Sequence, residues 1–202
     1  MRKTTAKDKI LDAAVALVRK NGLSGTSVDD LCRAAGVTKG AFFHHFRSKS
    51  DLAVSAAHHW SETTGRLFET APYHAPADAL DRLLAYIEFR KILIAGETSE
   101  YTCLVGTMAQ ETHHTHCDIA KACGDSIHGH AATLIADIEQ AVADYGLNPE
   151  WTTKSLADFT QVVIQGGFIL AKAGGGQRAV TDALDHLKNY ISLVFREGTH
   201  EA

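Results

Sequence analysis

Two groups of residues combine side-chain types that could do chemistry. The first is basic and hydroxylic: Thr26, Thr38, Lys39 and Lys49 stand in one short stretch, interleaved with Gly40, Phe42, Phe43 and His44. Hydroxyls, ammonium groups and backbone N–H groups at helix starts are the donors that phosphate oxygens accept, so the chemistry expected is non-covalent capture of a polyanion. The second group is His113-His114-Thr115-His116-Cys117, followed by Cys123, His128 and His130. On one continuous helix His113, His116 and Cys117 would share a face, with ligand types that suit zinc or copper(I). No CxxC pair accompanies them, so no metal is assigned, and a polar helix end with incidental histidines is the plainer account. A metal- or thiol-responsive helical protein using this region stands as the alternative reading. Catalysis is not expected: there is no phosphate-binding glycine loop, nucleophile elbow or HExxH, and no cofactor is implied.

Charge separates the chain into two parts. Residues 1–50 carry ten Lys/Arg against four Asp/Glu, a balance of +6, whereas residues 51–202 carry ten against twenty, a balance of −10. A basic head on an acidic body predicts that the head meets a polyanion. The four cysteines, Cys32, Cys103, Cys117 and Cys123, read as reduced thiols of a cytoplasmic protein. No apolar run approaches the roughly 18 residues that span a bilayer. The basic start Met1-Arg2-Lys3 leads into an amphipathic stretch, so no secretion signal and no membrane partner are expected.

The elements that must position the first group are legible in the head. Ile10, Leu11, Ala14, Leu17 and Val18 recur at helical steps and predict a helix over about 5–20, ended by Asn21-Gly22. Thr26-Ser27-Val28-Asp29 has the form of a capping box and predicts a second helix to about Ala35. Gly36-Val37-Thr38 is a tight turn, and a short helix follows over about 38–46. A further box, Ser48-Lys49-Ser50-Asp51, opens a linking helix over about 49–69. Two short helices joined by a glycine-containing turn form a helix-turn-helix, whose second helix enters the major groove. Phe46 and one of Phe42 and Phe43 should be core, leaving the other ring exposed beside His44. Both stand as candidate contacts.

The run from Ile10 to Leu52 resembles the DNA-binding domain of the TetR (tetracycline-repressor-like) family. The matching residues are Ile10-Leu11-Asp12-Ala13-Ala14, Gly22, Thr26-Ser27-Val28, Ala34-Ala35-Gly36-Val37, Lys39-Gly40, His44-His45-Phe46, Lys49 and Leu52. The resemblance implies phosphate contacts from Thr26, Lys49 and Phe43, and base-edge or backbone contacts from Thr38, Lys39 and His44. The family usually has Tyr at the position of Phe43, so one phosphate hydrogen bond should be missing. The implied partner is double-stranded DNA with a palindromic operator, its half-sites about one helical turn or more apart.

The body over 51–202 reads as helical throughout, which makes the protein all-α with about nine helices: a three-helix head over 1–50 and a larger body. Helices are expected over about 77–95, 104–114 and 118–145, from Asn148-Pro149 to about 173, and from about 177 to a stop at Gly198. In the last helix Val180, Leu184, Leu187, Ile191 and Val194 alternate four and three apart, a coiled-coil-like seam. Gly166 and Gly167 fall mid-helix, where a neighbouring backbone is expected to pack close. The resemblance implies a homodimer through the last two helices and a body pocket for a small-molecule effector of a repressor. Candidate pocket residues are Tyr86, Phe89, Tyr101, Cys103, Met108 and Phe168. Cys103 in Tyr101-Thr102-Cys103-Leu104-Val105-Gly106 resembles a position common in one family branch, and core packing is its plainer role.

Overall fold

A computed structural model describes residues 4–197. Side-chain caps at Thr5, Ser27, Thr38 and Thr152, among others, open helices, and no strand forms among the described residues. The expected stop at Gly198 and the Met1-Arg2-Lys3 start lie outside the described residues.

The chain divides into two compact units, one holding the stretch up to Arg66 with Thr102–Ile127, the other Leu67–Tyr101 with the residues from His128 onward. In the first unit, α1 (Ala6–Asn21) opens on a Thr5/Asp8 capping box and buries Ile10, Leu11, Ala14 and Val18. α2 (Val28–Ala35) buries Leu31, Cys32 and Ala35 and ends at Gly36, whose φ of 64° is the left-handed conformation that glycine adopts without a Cβ penalty. The box that starts α2 is Ser27/Asp30, one residue later than expected, because Thr26 turns its hydroxyl inward. α3 (Lys39–His45) is capped by Thr38 and packs on α1 and α2. α4 (Lys49–Glu69) follows, with Ser48 Oγ accepting the Asp51 N–H. α6 (Thr98–Tyr101), which closes the second unit's first stretch, is a single turn after α5 (Ala79–Ile92). α7 (Leu104–Thr112) packs on α1 in the first unit.

The expected helix over 118–145 is two helices, α8 (Cys117–Ala132) and α9 (Ile135–Asp144). The ladder tightens at Thr133 and Leu134, whose N–H groups reach carbonyls only three residues back, at His130 and Ala131. Asn148-Pro149 does not open the next helix. α10 (Thr153–Leu170) starts on a Thr152/Ser155 box instead, a pair that satisfies two orphan N–H groups where Asn148 would satisfy one. A π-helical turn (Ala171–Gly175) with Gly174 at φ 109° separates it from α11 (Gly176–Glu197). In the second unit α5 packs on α9 and α11, and α10 packs along α11.

Candidate nucleic-acid interface

Capping fixes where α3 starts, and burial fixes which way it faces. Thr38 Oγ1 accepts the Ala41 N–H at 3.2 Å. Phe42 is fully buried and stacks on Phe46 at 5.6 Å, while Phe43 is 54% exposed with its ring edge-on to Phe42 at 5.2 Å. The open choice between the two rings is thereby decided: Phe42 is core, which removes it from the candidate contacts, and Phe43 is the outward ring. Thr38, Lys39, Gly40 and His44 are exposed with it. A Cβ on Gly40 would meet only Thr38 Oγ1, at 3.7 Å, so nothing within the chain demands glycine there. A residue kept small with open space above it suits close approach by another molecule.

Lys39 Nζ sits 2.8 Å from Asp29, and this hydrogen bond raises its pKa. Both partners are exposed, so phosphate can replace the carboxylate at little cost. Arg47, which sequence reasoning missed, is an almost fully exposed guanidinium at the end of α3, held loosely by Asp51 at 3.4 Å. Its signal was a basic residue in the connection after the recognition helix.

Two of the expected phosphate ligands are occupied elsewhere. Thr26 is 1% exposed and its hydroxyl donates to the Gly22 carbonyl at 2.7 Å. Lys49 Nζ donates to the Leu23 carbonyl at 3.0 Å and the Thr26 carbonyl at 3.1 Å. From the other side, the Glu111 carboxylate on α7 accepts the Leu23 N–H at 2.9 Å and the Ser24 N–H at 2.8 Å. Burial alone would raise the Glu111 pKa, but the Ser24 and Leu23 N–H groups and the Lys49 charge outweigh it and hold it below the usual range. The α1–α2 connection is thus clamped between an acid and a base. In the free chain Thr26 and Lys49 thus bond to the head's own backbone, Thr26 buried and Lys49 half-exposed.

The body candidates are shared between the two units. Tyr86 and Phe89 join an aromatic cluster with Phe68 and Tyr73 in the second unit. Tyr101 and Phe168 meet at 6.5 Å elsewhere in that unit. Cys103 and Met108 belong to the first unit and are buried, Cys103 capping α7 with its sulfur accepting the Gly106 N–H at 3.4 Å. The His113, His116 and Cys117 face does not form, because α7 ends at Thr112 and Cys117 opens α8. Among the described residues, no three His, Cys, Asp or Glu side chains are grouped so as to hold a metal ion.

The expected dimer seam points inward. Leu184, Leu187 and Ile191 are buried within their own chain, with Val194 partly so, and Gly167 lies against Val180, whose Cα is 3.3 Å from where a Cβ would be. A four-three repeat reports a buried face without saying which helix buries it, and here the buriers are this chain's own neighbours. Gly166 has open space around it, on the face that also shows Phe159, Val162 and Ile169. On α11 the exposed apolar residues are Tyr190 and Leu193, and Tyr190 meets Phe159 at 5.2 Å, joining the two stripes.

Residues 10–56, from the α1 core through the start of α4, match the family model described as bacterial regulatory proteins, tetR family. The head is thus similar to that family over residues 10–56. Over 106 residues the chain is 28% identical to the transcriptional regulator AcuR of Cereibacter sphaeroides, a match spanning 52% of this chain and 48% of AcuR, about half its length. It is 24% identical over 187 residues to the HTH-type transcriptional repressor NemR of Escherichia coli, spanning 92% of this chain and 94% of NemR. A crystal structure of a TetR-family transcriptional regulator from Agrobacterium tumefaciens superposes with a TM-score of 0.80 at 21% identity, covering 92% of this chain and 96% of that one. The tetR-like head therefore sits in a chain whose fold is similar to that of this structure, all-α with a larger helical body. No helix among the described residues is long and apolar enough to cross a membrane.

Proposed function

We propose that this chain is a sequence-specific DNA-binding transcriptional regulator that acts as a repressor. It places α3 in the major groove and works as a two-fold dimer on a palindromic operator. The observation that carries the reading is the exposed face of α3, where Thr38, Lys39, Gly40, Phe43 and His44 are turned outward with no core to fill. The fold likeness and the names of AcuR and NemR support the same reading. The dimer is supported by the joined apolar stripes of Phe159, Val162, Ile169, Tyr190 and Leu193, which leave large side chains in water unless a second copy covers them. A small molecule bound by the helical body is the signal that releases the operator.

Selection from randomised duplexes, followed by titration of the enriched duplex, tests it. A palindromic consensus should emerge, and affinity should fall steeply with salt. Lys39→Ala should weaken binding to every duplex, and His44→Ala should relax preference at defined base pairs. Failure to enrich any sequence would refute the reading.

A further inference from the structure

The second unit holds a polar cluster that the DNA-binding head does not explain. The buried Tyr86 hydroxyl is its hub: Arg90 Nε–H donates to it at 3.0 Å, Gln161 Nε2 at 3.4 Å, and His130 Nε2 lies 3.0 Å away. Two incoming N–H groups occupy the phenol oxygen, so its own hydrogen goes to His130 Nε2. That makes His130 neutral, with its ring N–H on Nδ1 and available as a donor. Burial, and then the Arg90 charge, push the His130 pKa down to about 3, in agreement.

Arg90 therefore carries the cluster's full charge, and among the described residues no carboxylate oxygen answers it. The other cations of α5 are paired, Arg82 with Asp137 at 2.7 Å and Lys91 with Asp185 at 2.6 Å. Among the described residues Arg90 has no carboxylate within 4.0 Å. Its guanidinium lies over aromatic faces instead, 4.7 Å from the Phe68 ring and 5.5 Å from that of Tyr86. A half-buried guanidinium with aromatic faces for company keeps its Nη fork unspent, and that fork matches a carboxylate in two parallel hydrogen bonds. Phe89 and His130 are half-buried beside it, so the cluster is open on one side, with the rings of Phe68 and Tyr73 behind.

We infer that Arg90, with His130 as a neutral second donor, receives the carboxylate of a small organic monoacid whose flat apolar body lies against the half-buried Phe89 ring. One cation balances one negative charge. A phosphate dianion would bring a second charge that neither the neutral imidazole nor the aromatic faces answer. The site gives a chemical class to the signal in the proposed function and rests on that reading for its consequence, release of DNA.

The experiment uses the full chain and three acids of graded body, acetate, butanoate and benzoate, each against its neutral amide. Thermal unfolding and calorimetry read binding, and release of the enriched duplex reads the consequence. Benzoate should raise Tm and bind most tightly, butanoate and acetate less, and the amides not at all. Arg90→Gln should weaken benzoate about ten- to a hundredfold, the loss of a charged hydrogen-bonding partner. Arg90→Lys, which keeps charge and loses the fork, should fall between. Equal binding of acid and amide, or no binding of any acid at millimolar concentration, would overturn the site; this comparison needs only the wild-type chain and holds if a variant fails to fold. Benzoate that binds without releasing the duplex would leave the site standing and refute its regulatory role. A chain that never binds a duplex would refute the proposed function alone.

Discussion

Phe43 and His130 are single side chains whose surroundings make opposite demands. Phe43 is outward, and its ring is the aromatic that the family resemblance places against the DNA backbone. Phe43→Tyr supplies the hydroxyl that a phosphate accepts from, so duplex affinity should rise about fivefold, the worth of roughly 1 kcal/mol for one net hydrogen bond. Unchanged affinity in an anisotropy titration would mean that the ring's far end does not face a phosphate. His130 is a base held neutral by burial and by Arg90, with a folded pKa of about 3 against 6.5 for the free group. Below pH 6.5 the unfolded chain binds a proton at this position that the folded chain refuses. Stability should therefore be complete above 6.5 and fall as pH drops toward 3, with a slope of about 1.4 kcal/mol per pH unit where one proton separates the states. Urea unfolding between pH 6.5 and 5 reads this above the carboxylate range, and His130→Gln, which keeps a partner for Tyr86, should flatten the slope.

At the scale of elements, the short helices of the head are held by connections as much as by their own ladders, since a helix of eight residues is marginal alone. The α1–α2 connection takes its N–H partners from Glu111 and its carbonyl partners from Lys49. Glu111→Gln can keep one of two bonds but loses the charge, and should destabilise the protein by about 1 kcal/mol. Lys49→Met should cost a similar amount. Denaturant melts measure both. If Lys49 were instead chiefly a phosphate ligand, Lys49→Met would leave stability intact and flatten only the salt dependence of DNA binding. The Glu111 contribution has the opposite charge logic to a base: its pKa is lowered on folding, so it is present above the ordinary carboxyl range and lost as pH falls through the lowered value. Because Glu111 sits on α7, whatever shifts α7 pulls directly on the connection that leads into α2.

At the scale of the whole molecule, the surface left over by packing is what assembly has to use. Phe159, Val162, Ile169, Tyr190 and Leu193 are exposed on α10 and α11, the helices that pack along each other. Val162→Asp and Leu193→Asp each place a charge where a second copy would bury it, so either should convert a dimer to a monomer in sedimentation while leaving helical content unchanged. The monomer should lose most of its operator affinity, because it reads one half-site. Leu187→Asp is the contrasting case: Leu187 is buried in its own chain, and that substitution should unfold the protein instead.

The sequence by itself determined the elements of the head, the all-α class and the sign of the partner, because capping residues, apolar spacing and local charge are read over a few neighbours. Ser27 in place of Thr26 as the cap, and Thr152 in place of Asn148, were matters of a few residues decided by which side chain had somewhere better to go. Only the tertiary structure decided which of Phe42 and Phe43 faces out, that Lys49 and Thr26 are spent inside the head, and that the Leu184–Ile191 seam is internal. The Thr26 hydroxyl finds its partner at nearby Gly22, whereas Lys49 depends on the carbonyls of Leu23 and Thr26. The burial of Phe42 and of the seam depends on packing between helices. The Arg90, Tyr86, His130 and Gln161 cluster was invisible for the same reason, since its members come from three separate helices and acquire meaning only from what no carboxylate does beside them. Periodicity tells that a face is buried; packing tells by what.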